Sequence, residues 1–360
     1  MKLEERISLI TKNSDEVISE EEIRTILETK STPRAYIGFE LSGFLHLGTG
    51  VICGNKFKSL ATAGLHTIVF LADWHSYINN KLGAAMDKIQ IAGEYFKKAF
   101  ESVGVKNSNI QFIWGNELVS RVEYWEKILR VAKASTLSRI MRTLPIMGRS
   151  SEGEIESAFI FYPSMQVADI FEMEIDIACG GMDQRKAHML ARDVAPKLGY
   201  NKPVCVHTPL LTGLQGMGEK MDTDVVPDLL SSKIDAKMSK SKPDTCIFIH
   251  DTEEEIKRKI KKAVCPPQLS AGNPIIEIMR YILFEEFETV KIERSTKFGG
   301  DIVFSSFANF EREYLAGTIH PLDVKSTISR GLIHILSQPR AYFEKHSDII
   351  AEMKQLQALK

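Results

Sequence analysis

The sequence has no long apolar run: nothing in its 360 residues approaches the roughly 18 consecutive apolar residues of a membrane-spanning helix. Its opening stretch, MKLEERISLI, has no apolar core of a secretion signal. A cytoplasmic protein with no membrane partner is therefore expected. Cysteine is scarce. Cys53, Cys179, Cys205, Cys246 and Cys265 form an odd set without a CxxC pair or a histidine at zinc spacing, which argues against a disulfide framework and against a structural metal. Net charge is nearly absent too, at -1. Any nucleic-acid partner must meet basic residues gathered locally, because the chain average cannot supply the phosphate attraction.

What is present is alternation. Short β-prone apolar runs occur at 35–39, 67–71, 110–114, 175–179 and 204–207, with helical segments such as 86–103 between them. Continuous apolar strands separated by helices predict an α/β fold with a doubly wound parallel (Rossmann-like) sheet. In such a sheet a ligand sits beyond the carboxyl ends of the strands. The residues after the runs fit that rule: they are Glu40-Leu41-Ser42-Gly43, Ala72-Asp73-Trp74-His75, Gly115-Asn116-Glu117, Gly180-Gly181-Met182-Asp183-Gln184 and Thr208-Pro209-Leu210-Leu211-Thr212-Gly213. Residues 1–34 read as polar and helical, with a capping sequence at Ser19-Glu20-Glu21-Glu22. Two further helical segments, 119–133 and 136–147, interrupt the alternation. They carry Arg121, Arg130, Arg139 and Arg142, with Arg149 just beyond, and are read as an insertion for pairing subunits or touching an RNA stem. The expected organisation is a catalytic domain over 1–235 with a helical insertion at about 116–161, a loop and linker over 236–266, and a mostly α-helical domain over 267–360.

Four constellations carry chemistry. Lys237-Met238-Ser239-Lys240-Ser241 precedes Pro243; two ammonium groups three residues apart in a non-helical loop can neutralise a polyphosphate as charge moves to the leaving group. His46-Leu47-Gly48-Thr49 follows the first run, where a helix start favours phosphate and glycine permits close backbone approach. Tyr162, Gln166 and Asp169 are spaced four and three apart, with Pro163 suited to the first helical turn, so they share one helical face. That face is polar within the apolar stretch SAFIFYPSMQVADIF, which is costly unless it meets a partner. Gly180-Gly181 would let a nucleoside lie against the main chain, with Asp183 accepting from ribose hydroxyls.

The first two constellations resemble the signatures of class I aminoacyl-tRNA synthetases. With YIGFE from Tyr36, LADWH from Leu71, YPSMQVAD from Tyr162, GGMDQRKAHMLAR from Gly180, KFGGD from Lys297 and HPLD from His320, nearly the whole chain resembles tyrosyl-tRNA synthetase of the archaeal and eukaryotic type. The resemblance implies L-tyrosine, ATP with Mg2+, and tRNA(Tyr) as ligands, with a homodimer as the assembly. By position it implies that Tyr36 and Asp169 hold the substrate phenol, and that Tyr162, Gln166 and Gln184 surround its ammonium and carboxylate. His46, Lys237 and Lys240 would be catalytic; His46, Gly48, Gly180, Asp183 and Lys240 would bind ATP. Arg185 would stand near the first base pair of the acceptor stem, and Phe298, His320 and Asp323 would form the anticodon pocket. The sequence departs from the family at Leu41, where proline is usual, and at Thr49, where histidine is common. An insertion also separates Thr212-Gly213 from the signature loop. The nearest rival is a tryptophanyl-tRNA synthetase, against which Tyr36 with Asp169 favours a phenol; a non-charging RNA-binding relative would have no use for the phosphate-handling lysines.

Overall fold

The computed structural model describes residues 1–148, 155–217 and 229–358. Arg149, and residues 218–228 of the insertion before the signature lysines, lie outside them. The chain forms two compact units. The first comprises Met1–Gly43, Cys53–Pro209 and Ala351–Lys360; the second comprises Phe44–Ile52 and Leu210–Ile350.

The first unit is built on a sheet that, among the described residues, has six strands: β1 (Glu16–Ile18), β2 (Arg34–Phe39), β3 (His66–Leu71), β4 (Ile110–Trp114), β5 (Ile177–Gly181) and β6 (Val204–Thr208). Their order is β1-β6-β5-β2-β3-β4. All neighbours pair in parallel except β1, which is antiparallel to β6. Strands β2, β3, β5 and β6 are buried along most of their length, which is why they read as unbroken apolar runs, whereas β4 at the sheet edge is only partly covered and leaves Gln111 exposed. After β2 the chain winds outward through β3 and β4, then returns to β2's other side with β5 and β6. The switch point therefore lies between β2 and β5, where Tyr36 is opposite Ala178. That is where the rule for open sheets puts a ligand.

Several expected elements differ in their bounds. The 1–34 segment is two helices, Leu3–Thr11 and Glu20–Thr29, with β1 between them. The 175–179 run starts two residues later and takes Gly180 and Gly181 into the strand. The 119–133 segment is two helices, Gly115–Val119 and Val122–Lys133, broken at Ser120 and Arg121. The next segment ends its α-helix at Thr143; Pro145 sits in the 3-10 turn Leu144–Met147 that follows, as its missing N–H requires.

In the second unit, Phe44–Ile52 is stitched to the 247–249 stretch: Leu47 N–H donates to Ile247 O at 3.0 Å, and Ile249 N–H to Leu45 O at 3.1 Å. Helix Glu253–Lys262 starts at a reciprocal Thr252/Glu255 capping box. Its charge pattern looks fully solvated, yet Lys259 is buried and paired with Asp251 at 2.6 Å. The 267–350 stretch is mostly helical but contains a small antiparallel pair, β7 (Val290–Ile292) with β8 (Ile302–Phe304).

Candidate active site

Helix Phe161–Glu172 carries Tyr162, Gln166 and Asp169. Both spacings fall within this one helix, and Pro163 is in the first turn, where a proline has no hydrogen bond to forfeit. Asp169 is 1% exposed. Burial pushes its carboxyl well above the usual range, while a bond from Tyr124 opposes that and Asp73 adds to it. Tyr124 Oη donates to Asp169 Oδ1 at 2.7 Å. His75 Nε2 lies 3.2 Å from Asp169 Oδ2, but neither ring nitrogen has an aligned hydrogen-bond partner. Burial lowers His75 to about 3, so it stands beside Asp169 as a neutral ring and the contact is not an ion pair.

Tyr36, from β2, is buried against the same group: desolvation and the Asp169 charge raise its phenol, and a bond with Gln166 works the other way. Gln166 Nε2 donates to Gln184 Oε1 at 3.2 Å, and Gln184 Nε2 donates to Ile146 O at 3.2 Å. Gln166 Oε1 is buried with no partner, an acceptor left over for a ligand. Tyr162 Oη donates to Glu40 Oε1 at 2.9 Å, and Lys81 Nζ is 3.1 Å from Glu40 Oε2. The first unit thus brings together Tyr36, Tyr162, Gln166, Asp169 and Gln184. Glycine suits position 180, where a Cβ would stand tightly at 3.2 Å from Gln184 Cβ and 3.2 Å from His188 Cε1. Asp183 follows in the short turn Met182–Gln184.

Tyr124 is a member of this site that no motif contains; Glu40 and His75 lie within the quoted motifs at 36–40 and 71–75 but carry no assigned role there. Tyr124 lies 45 residues from Asp169 in sequence; its signal was a hydroxyl on the buried face of an amphipathic helix, shared with Ile128 and Val131. Replacing Tyr124 by phenylalanine leaves Asp169 Oδ1 without its donor, a loss of about 1–3 kcal/mol. Expected are a lower melting temperature and about tenfold lower kcat/KM for tyrosine activation; wild-type values for both in Tyr124→Phe would contradict the assignment.

The second unit holds the phosphate candidates. Gly48 N–H donates to His46 Nδ1 at 3.2 Å, so the ring proton is on Nε2. Burial, then Lys240 and Lys237, lower His46 to about 3; it is a neutral donor with the two lysines near it. A Cβ at position 48 would lie 3.1 Å from His46 Cε1, a reason for glycine that the sequence pattern alone did not supply. Thr49 Oγ1 accepts from His46 N–H at 3.2 Å; the residue that departs from the family pattern caps the turn. Helix Leu229–Ala236 ends just before Lys237, which bridges to Thr212. Because His46 is neutral far below physiological pH, kcat/KM for ATP, which reports the free enzyme, should keep a constant ratio between wild type and His46→Asn from pH 5.5 to 8. A ratio that bends near pH 6.5 would contradict a neutral His46.

Further along, Phe298 is 66% exposed in a loop tied back by Arg294, whose Nε donates to Gly300 O at 2.9 Å and Nη1 to Thr318 O at 2.8 Å. His320 caps helix Pro321–Ile335 by accepting from Leu322 N–H at 3.2 Å, and Asp323 lies in the first turn. Of the inserted arginines, Arg121 pairs with Glu172, Arg130 with Glu126 and Arg139 with Asp193; they serve the unit's own surface. Arg185 pairs with Glu16.

Comparison with known proteins agrees with this geometry. The family model described as "tRNA synthetases class I (W and Y)" matches residues 28–223 and 224–337. The chain is 45% identical over 354 residues to the tyrosine--tRNA ligase of Sulfolobus acidocaldarius, covering 97% of each chain. It is 44% identical over 337 residues to that of Aeropyrum pernix, covering 93% of this chain and 92% of the other. Its structure superposes on a tyrosyl-tRNA synthetase from Pyrococcus horikoshii complexed with L-tyrosine, with TM-score 0.92, 41% identity, and 99% and 100% of the two chains covered.

Proposed function

The chain belongs to the class I tRNA synthetases that comprise the tryptophan and tyrosine enzymes, and on that premise we propose that it is a tyrosine–tRNA ligase working with the residues described above. Such enzymes use ATP as substrate, here arriving with Mg2+. The tyrosine carboxylate attacks the α-phosphorus, pyrophosphate leaves, and the acyl group of tyrosyl-adenylate then passes to the terminal ribose of tRNA(Tyr). No protein nucleophile is needed, so rate comes from positioning and charge stabilisation.

The observation that carries the substrate choice is the buried Asp169 carboxylate, fixed by Tyr124 and adjoining Tyr36. One accepts from the substrate phenol and the other bonds its oxygen. Gln166, with its unpartnered Oε1, together with Tyr162 and Gln184, takes the ammonium and carboxylate. His46, Gly48, Lys237 and Lys240 serve the triphosphate; Gly180 and Asp183 serve the nucleoside. Arg185 meets the acceptor stem. Exposed Phe298 stacks on an anticodon base, with His320 and Asp323 beside it in the reading of that base. Charging of a tRNA(Tyr) transcript with labelled tyrosine tests the whole sequence of steps: accumulation of tyrosyl-tRNA is expected, and adenylate formation without any acyl transfer would reject it.

The enzyme acts in the cytoplasm as a homodimer. Among the described residues no helix is long and apolar enough to cross a membrane. Helix Val122–Lys133 supports the dimer: Val122, Trp125 and Leu129 are 80%, 41% and 63% exposed on one side, while Tyr124, Ile128 and Val131 are buried on the other. An apolar face of this kind on a soluble enzyme marks an interface. The double variant Trp125→Glu/Leu129→Glu should sediment as a single chain where the wild type sediments as two; an unchanged mass would remove this face from the interface.

A further inference from the structure

Strand β1 has only three residues, yet it puts Glu16 directly across from His207 of β6. Three side chains converge there. Arg185 Nε donates to Glu16 Oε1 at 3.0 Å and to Oε2 at 2.8 Å, while His207 Nδ1 is 2.8 Å from Oε2. Behind His207, its Nε2 is 3.0 Å from His188 Nδ1, with both rings buried. Burial lowers both imidazoles, and for His207 it outweighs the pull of Glu16. Neutral rings fix the proton positions. His207 carries its proton on Nδ1 and donates to Glu16; its Nε2 accepts from His188 Nδ1–H. The carboxylate is therefore held from one side by an inflexible buried pair.

On the other side, Glu16 engages Arg185 only through Nε. Among the described residues the terminal nitrogens Nη1 and Nη2 have no hydrogen-bond partner, and the side chain is 39% exposed. A guanidinium gripped along its inner edge keeps the planar fork that matches phosphate or a base edge. Resting on the reading of Arg185 as the acceptor-stem contact, we propose that Glu16, braced by His207 and His188, is a positioning residue that presents the Nη fork of Arg185 to the end of the tRNA stem. This gives the antiparallel edge strand a function, since without β1 the carboxylate would have no place opposite His207.

The test is steady-state charging of tRNA(Tyr) by full-length wild type, Glu16→Gln, Glu16→Ala, Arg185→Ala and the double variant Glu16→Ala/Arg185→Ala. Tyrosine-dependent pyrophosphate exchange without tRNA and thermal melts serve as controls. Glu16→Gln and Glu16→Ala are expected to raise KM for tRNA about tenfold with exchange unchanged. The double variant should be no worse than Arg185→Ala alone, as two residues acting through one contact require. Both Glu16 variants should also lose part of the wild type's discrimination against a transcript with its first base pair exchanged. If Arg185→Ala leaves KM for tRNA unchanged, the acceptor-stem reading itself fails. If Arg185→Ala raises KM but the Glu16 variants leave it unchanged or tighten binding, that reading stands and the positioning inference is overturned. Should Glu16→Ala melt early, Glu16→Gln, which keeps the shape and removes the charge, decides between these outcomes.

Discussion

Replacing Lys240 by alanine slows tyrosyl-adenylate formation by about 10²–10³-fold, the usual loss when one group aimed at transition-state charge is removed, and leaves tyrosine affinity nearly unchanged. The reason is placement. Lys240 and Lys237 lie close enough to His46 to depress its basicity further than burial alone, so two ammonium charges and one neutral imidazole donor are gathered in the second unit. The residues proposed to hold tyrosine, Tyr36, Tyr162, Gln166, Asp169 and Gln184, all belong to the first. A lysine that strengthens its contact as pyrophosphate departs acts on kcat, whereas one that binds ATP equally throughout acts on KM. Pre-steady-state adenylate formation with tyrosine titrated by equilibrium dialysis separates the two. A Lys240→Ala protein with wild-type exchange rate would remove the signature loop from the chemical step.

The second large effect is on substrate choice. Asp169→Asn is expected to lower kcat/KM for tyrosine by about 10²-fold or more, because a buried bond to a carboxylate is lost and Tyr124 is left facing a poorer acceptor. Phenylalanine, which makes no such bond, should be affected far less, so the discrimination ratio falls by a similar factor. A site built around a substrate hydroxyl rejects the analogue lacking it because its own buried polar groups go unpaired; a tyrosyl-tRNA synthetase is the established precedent, at about 10⁵-fold without editing, and that magnitude belongs to the precedent. Asp169→Asn keeps the side-chain shape, so a folding defect should be mild, and a thermal melt checks it. Equal losses for tyrosine and phenylalanine would mean that Asp169 supports the helix and does not read the phenol.

Much of this was legible in the residues because it depends on short-range pattern. The inner parallel strands announced themselves as apolar runs since nearly all their residues are buried, and the run at 110–114, though only partly covered at the sheet edge, matches β4 residue for residue. The pocket helix was legible because four- and three-residue spacing from a first-turn proline leaves one face polar in an apolar stretch. What escaped depends on partners far away in sequence. Strand β1 is three residues long and exists through its pairing with β6, 191 residues from Glu16 to His207; a segment that short carries no periodicity. The β7–β8 pair is equally brief. Tyr124 looked like one more aromatic on a helix until its hydroxyl was found on Asp169. The Gly180-Gly181 pair lies beyond the apolar run at 175–179, as two glycines in a strand are unfavourable; it forms the strand's end, where Gln184 and His188 crowd Gly180.

The measurement that bears hardest on this reading is ATP–pyrophosphate exchange by the wild-type protein with tyrosine, phenylalanine or tryptophan as the sole amino acid. Exchange driven by tyrosine, with the other two lower by several orders of magnitude in kcat/KM, is the predicted result. Exchange driven equally well by phenylalanine, or better by tryptophan, would contradict a pocket organised by Asp169 and Tyr36 around a phenol.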